Sequence, residues 1–303
     1  MKNNKNTILL SLLALGFGFL SVSCVNGARK EDKTQQNDTT AVASSADFSY
    51  DLKNPVKYNM PQNLFEISGI VFHNGDAKEV FAIQDEDGDL FHLGLNDKEA
   101  KFTKFGGKGD YEDVAIYKNL IIVLKSNGEL HTFPISAINQ SEVPNVVKTK
   151  DMVPKAEYEG LFADEKAGLL YILTKENKAE TKNKQAVVYS FKIADDGTLT
   201  KSDEFNLSFK EIAEVSGNSK VKFRPSALAK NPLTDEWYIL SSINKMILIT
   251  DASFKVKSSQ PLDGSLFNQP EGIAFDKDNN LYISNEGGTL AAGNILMFKY
   301  KKP

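Results

Sequence analysis

The chain has 303 residues, 41% of them apolar and 25% charged, which is enough apolar material to build a core and excludes a wholly disordered polymer. Lys plus Arg number 36 against 40 Asp plus Glu, a formal charge of −4, so the basic excess of a nucleic-acid binder is missing and no nucleic-acid partner is expected. The only cysteine, Cys24, excludes an intramolecular disulfide and a cysteine-rich zinc site, so the fold must rest on packing.

In chain order, a short basic segment over residues 1–7 precedes an apolar run over 8–22. That run is short for a membrane span and suits the core of a signal peptide. It ends Leu20-Ser21-Val22-Ser23-Cys24. A small residue directly before a Cys at this point resembles a bacterial lipobox, although Leu20 lies four residues before the Cys where the common pattern has it three before. The resemblance implies a leader over 1–23 and lipid on Cys24 as the first mature residue. The partner would then be membrane lipid and the location the bacterial cell envelope, anchored at the outer membrane or cell surface. A plain secretory signal with an incidental Cys, or a true transmembrane anchor, is the alternative.

Residues 24–47 lack aromatic side chains and read as a flexible tether with a reach of roughly 25 Å. Loss of Lys2 and Lys5 with the leader takes the charge to 34 − 40 = −6.

From Phe48 onward the pattern is all-β: short apolar runs with turn residues between them. Such runs include Val80-Phe81-Ala82-Ile83, Leu120-Ile121-Ile122-Val123-Leu124, Leu169-Leu170-Tyr171-Ile172-Leu173, Trp237-Tyr238-Ile239-Leu240 and Leu281-Tyr282-Ile283-Ser284. Each follows a smaller-residue motif marked by Ser68, Glu112, Glu159, Ser226 or Glu271, at steps of 44, 47, 67 and 45 residues. A period near 45 in an all-β chain predicts one four-stranded propeller blade per repeat. The expected fold is therefore a five-bladed β-propeller over 48–303, acting as a monomer. The last repeat runs out of chain after three strands, so its fourth is expected from the N-terminus, over 48–53 or 56–58. Such closure leaves no unpaired edge between first and last blades. The long step places extra residues in a loop over 176–184 and before the fourth inner strand, with a short helix near 210–215. Both insertions fall on one end of the ring.

The register marks are also the candidate site. Glu112, Glu159 and Glu271 begin three inner strands, and Ser68 and Ser226 hold the matching places in the other two. Converging carboxylates repel and favour a hard cation, and oxygen ligands without Cys or His favour Ca²⁺. Strand capping or pairing with lysine is the competing reading. A second ring at the ends of the second strands comprises Asp85, Lys125, Lys175, Ser242 and Glu286, which either hold an anionic ligand or neutralise the first ring. The acidic stretches at 85–89 and 276–280 lack the twelfth-position Glu of a calcium loop, having Asn96 and Gly287 there, and read as turns. The Gly-rich stretch at 106–109 lacks phosphate-loop spacing.

With its lipoprotein-like leader and the motifs Glu66-Ile67-Ser68-Gly69-Ile70, Asp110-Tyr111-Glu112-Asp113-Val114, Tyr158-Glu159-Gly160-Leu161 and Gln269-Pro270-Glu271-Gly272-Ile273-Ala274, the chain resembles the SdiA-regulated propeller family, itself distantly similar to NHL-repeat propellers. The resemblance implies a five-bladed propeller with calcium in the channel and Glu112, Glu159 and Glu271 at the metal; Pro225-Ser226-Ala227 departs from the acidic pattern. It assigns no reaction. Two functions stay open: a module that binds a small-molecule or protein ligand, and a calcium-dependent hydrolase of lactones, esters or phosphoesters. The three histidines, His73, His92 and His131, are expected away from the channel mouth, which argues against a histidine-based lactonase.

Overall fold

The second-strand runs are continuously apolar because each blade is covered on both faces by its neighbours, so a middle strand has no wet side. Leu120–Lys125 is buried throughout except at its two ends. The outermost strands face solvent on one side and are correspondingly polar, as in Leu199–Ser208. The structure, a computed structural model, describes residues 48–288 and 291–302. The proposed leader, Cys24 and the tether up to residue 47 lie outside the described residues.

Five four-stranded antiparallel sheets form the ring. The first blade comprises Ile67–Val71, Val80–Gln84, Asp89–Leu93 and Lys101–Lys104. The second comprises Tyr111–Tyr117, Leu120–Lys125, Leu130–Pro134 and Val147–Thr149. The third comprises Glu157–Asp164, Leu169–Glu176, Gln185–Ile193 and Leu199–Ser208, and the fourth Ala227–Lys230, Trp237–Ser241, Met246–Thr250 and Val256–Pro261. The fifth takes Pro270–Phe275, Leu281–Asn285 and Asn294–Phe298 from the C-terminal end of the chain and Val56–Asn59 from its beginning. Val56 faces Met297 and Asn59 faces Asn294, so the downstream of the two expected segments closes the ring.

The upstream segment has a different task. Tyr50 is 4% exposed; its hydroxyl donates to the Asn279 carbonyl at 2.8 Å and accepts from Asn231 Nδ2 at 3.1 Å. Its ring packs against Tyr238 and Phe275, which pins the start of the described chain beneath the fourth and fifth blades. The start therefore sits at the end of the ring where the inner strands finish, opposite the end where Glu112, Glu159 and Glu271 begin them.

Five hydrophobic clusters fill the ring, one between each adjacent pair of blades. The largest fully buried side chain, Trp237, stacks on Phe254 between the third and fourth blades. Each such side chain removed from water contributes about 1.5–3 kcal/mol, so the seams of the ring carry its stability in place of disulfides.

The expectation of an irregular loop over 176–184 is corrected. Residues Lys178–Asn183 form a helix, α1, because Ala, Glu and Lys dominate a stretch in which Asn177 Oδ1 accepts the Ala179 N–H at 2.9 Å and so caps the start. The helix expected before the fourth blade is present as α2, Phe209–Ser216, ended by Gly217 at φ 68°. The acidic stretches at 85–89 and 276–280 are turns: Asp276 accepts the Asp278 and Asn280 N–H groups at 2.9 and 2.8 Å.

Candidate functional site: the acidic channel mouth

A local irregularity aims the register residues. The pairing register shifts between Tyr111 and Asp113, between Tyr158 and Gly160, and between Pro270 and Gly272. Each shift leaves one residue unpaired: Glu112, Glu159 and Glu271. The shift between Ile67 and Ile70 spans Ser68 in the first blade. A β-bulge rotates its extra residue out of the sheet, and here it turns carboxylates toward the channel.

Those carboxylates line a cavity of about 190 Å³ together with Ser68, Glu66, Asp85, Asp110, Glu286 and one base, Lys175. A contiguous space of about 360 Å³ on the side of the fourth blade shares Glu159, Lys175 and Glu271 and adds Arg224, Ser226, Ser242, Lys245 and Gln269. Of the ten site residues read from the register, nine meet in this mouth. The tenth, Lys125, borders neither space; its ammonium lies 5.2 Å from the Tyr111 ring centre.

Burial, and after it crowding, shows in the proton affinities. Burial, then the adjacent hydrogen-bonded Asp110, pushes Glu112 up to about 8. Burial, then Asp85 and Glu271, pushes Glu286 up to about 7. Burial also raises Glu271, opposed by a hydrogen bond from Ser242 and by Lys175 and Lys245. Glu66 and Asp85 are raised by burial and by their acidic neighbours. Asp85 Oδ1 is buried with no hydrogen-bond partner among the described residues. Glu159 differs: it is 5% exposed and ion-paired with Lys175.

The two serines are bonded across blade seams. Ser68 Oγ donates to the Glu112 carbonyl at 2.7 Å, and Ser226 Oγ donates to the Pro270 carbonyl at 3.0 Å while accepting the Ser242 N–H at 3.2 Å. Asp113 ties another seam, its carboxylate accepting the Leu161 and Val114 N–H groups at 2.8 Å each. Burial raises its proton affinity, against the pull of those two bonds.

Glu66, Asp110, Arg224 and Gln269 were not read from the sequence as site residues, yet a signal was available. Each stands two residues before a register mark, and alternate residues of a strand face the same way. The fifth residue of that set, Glu157, is exposed and outside both spaces. The histidines lie elsewhere, as expected: His92 bonds Glu79 at 2.9 Å and His131 bonds Glu129 at 2.8 Å on third strands, and His73 follows the first inner strand.

Among the described residues no three or more His, Cys, Asp or Glu side chains form a set that could hold a metal ion as they stand. The donor chemistry nevertheless suits a hard cation, since seven carboxylates and one lysine line the 190 Å³ cavity and Asp85 offers an orphaned oxygen.

The SdiA-regulated family matches residues 41–289 of the sequence. The chain belongs to that family. No curated protein matches it. Among solved structures, the glutaminyl cyclase of Myxococcus xanthus is similar over 82% of this chain and 96% of its own length, at 16% identity and a TM-score of 0.53. The PQQ-bound aldose sugar dehydrogenase of Streptomyces coelicolor is similar over 81% of this chain and 98% of its own, at 9% identity and a TM-score of 0.53. At such identities the likeness is one of fold, and fold leaves activity open. No helix among the described residues is long and apolar enough to cross a membrane.

Proposed function

We propose that this SdiA-regulated propeller is an envelope-anchored binding module whose acidic mouth takes up calcium and, with it, a small-molecule or protein ligand. The observation that carries the reading is the charge imbalance of the 190 Å³ cavity, seven carboxylates against Lys175 alone. Such a group must either retain protons, as the raised Glu112 and Glu286 do, or acquire a cation. Glu112 and Glu271, raised and outside any ion pair among the described residues, are the principal ligands in this reading, with Glu159 joining them once Lys175 releases it. Lipid on Cys24 and the 24–47 tether would hold the ring at the outer membrane or cell surface.

Melting temperature in EDTA and in calcium, for wild type and Glu112→Gln/Glu271→Gln, tests the cation. Calcium should raise the wild-type value and leave the double variant nearly unmoved. No calcium effect on wild type sinks the proposal. Mass spectrometry of the protein extracted from membranes tests acylation at Cys24.

One observation favours a second reading, hydrolysis. A carboxyl that titrates near 8 is suited to proton transfer at neutral pH, and Glu112 is such a group. A bound cation would supply polarisation of a carbonyl or phosphoryl oxygen. Beside that cation Glu112 would be favoured as the carboxylate, its proton leaving to solvent, and that carboxylate would then take a proton from the attacking water. Panels of lactones, aryl esters and phosphoesters assayed with calcium distinguish the two: turnover lost in Glu112→Gln favours the hydrolase, and no turnover on any panel favours the binding module.

A further inference from the structure

The long step between Glu159 and Ser226 adds chain that no other blade carries, and ring closure does not need it. Part of it, helix α2 with the segment that follows, lines a cleft of about 650 Å³, and α2 packs against the outermost strands of the third and fourth blades, Leu199–Ser208 and Val256–Pro261. Phe209 and Val221, both 7% exposed, form its floor with half-buried Ala213. Its rim holds four lysines, Lys184, Lys210, Lys220 and Lys222, against one carboxylate, Glu214. None of the four is ion-paired among the described residues. The neighbouring bases are committed: Arg224 pairs with Glu176 and Lys175 with Glu159.

We propose that this cleft binds a small soluble amphipathic anion, with an acyl or aromatic body on the apolar floor and a carboxylate or phosphate among the lysines. The volume lies in the range of small-ligand sites. An apolar floor gains by leaving water, and four ammonium groups around it, outside any ion pair among the described residues, select negative charge. A polyanion would need the charges and not the floor. A membrane surface would need a protruding apolar face, whereas Phe209 and Val221 are recessed in the floor of the cleft. This site differs from the acidic mouth in residues and in the sign of its charge, so it stands whether or not the mouth takes calcium.

The test is a fluorescence titration with anilinonaphthalene sulfonate in EDTA, on the purified protein and on Lys210→Glu/Lys222→Glu. Both substitutions are at exposed positions, and matched melting temperatures will establish that the variant is folded. Binding should weaken by about tenfold or more in the variant, and decanoate should displace the probe from wild type. Ala213→Trp, which fills the cleft, should abolish the displaceable signal without changing the surface charge. Equal affinity in wild type and the charge-reversed variant overturns the proposal. So does displacement by inorganic phosphate but not by decanoate, since the floor would then play no part.

Discussion

The hydroxyl of Ser68 donates to the backbone carbonyl of Glu112 at 2.7 Å, so the residue that aims a carboxylate into the mouth is held by the neighbouring blade through its main chain. Ser226 repeats the bond on Pro270, directly before Glu271. The mouth and the seams of the ring are thus built by the same few residues.

From this, Ser68→Ala and Ser226→Ala should each cost about 1–2 kcal/mol, the price of a buried carbonyl left unpaired. Urea unfolding monitored by Trp237 fluorescence reads it. The two losses should add, because the seams are separate. A wild-type midpoint in either variant would show that the bond is not needed.

Gly69 meets Asp113 so closely that a Cβ there would lie 2.3 Å from Oδ1 and 2.6 Å from the Asp113 Cα. The backbone atom cannot swing away as a side chain can. Gly69→Ala should destabilise by about 3 kcal/mol or more, or prevent folding. Gly107→Ala is the control, since nothing lies within 4 Å of its Cβ position.

The raised carboxyls set a pH dependence with a definite sign. Glu112 titrates from 4.5 when unfolded to about 8 when folded, so over that interval the folded state holds a proton that the unfolded state has lost. The contribution of Glu112 to stability then falls as pH rises from about 4.5 through about 8, and that of Glu286 up to about 7. Melting temperatures in EDTA between pH 5 and 8 should decline in wild type relative to Glu112→Gln. A wild-type rise relative to the variant across that interval would contradict the assignment.

Lys175 is the one base lining the 190 Å³ cavity, and it holds Glu159. Lys175→Met should lower stability in EDTA by up to about 3 kcal/mol, because buried Glu159 loses its partner. If the mouth takes calcium as proposed, the same variant should gain more in melting temperature from calcium than wild type, since the competing ammonium is removed and Glu159 freed. Equal calcium gains in the two proteins would mean that Lys175 does not compete with the cation.

How much of the site was legible depended on the kind of signal. Glu112, Glu159 and Glu271 recur at a blade period, so the repeat alone placed them together. Glu66 and Asp110 carried the same phase two residues upstream, but their residue types vary from blade to blade, and the repeat is weak there. Lys125 and Lys175 read alike as ends of second strands, but Lys125 faces Tyr111 where Thr174 faces Tyr158, so it stands one residue out of step and lies over the Tyr111 ring, while Lys175 enters the mouth and pairs with Glu159. The segment that became α1 gave only composition, and composition does not separate a short helix from a polar loop.

The sequence by itself determined the number of blades, the strand order within each and the borrowing of an N-terminal strand, since burial on both faces leaves its mark in continuous apolar runs at a fixed spacing. Only the tertiary structure decided which carboxylates share a proton load, which serines cross a seam and which lysines stay unpaired. Those outcomes depend on atoms brought within a few ångströms by different blades, and no local pattern in the chain encodes that distance.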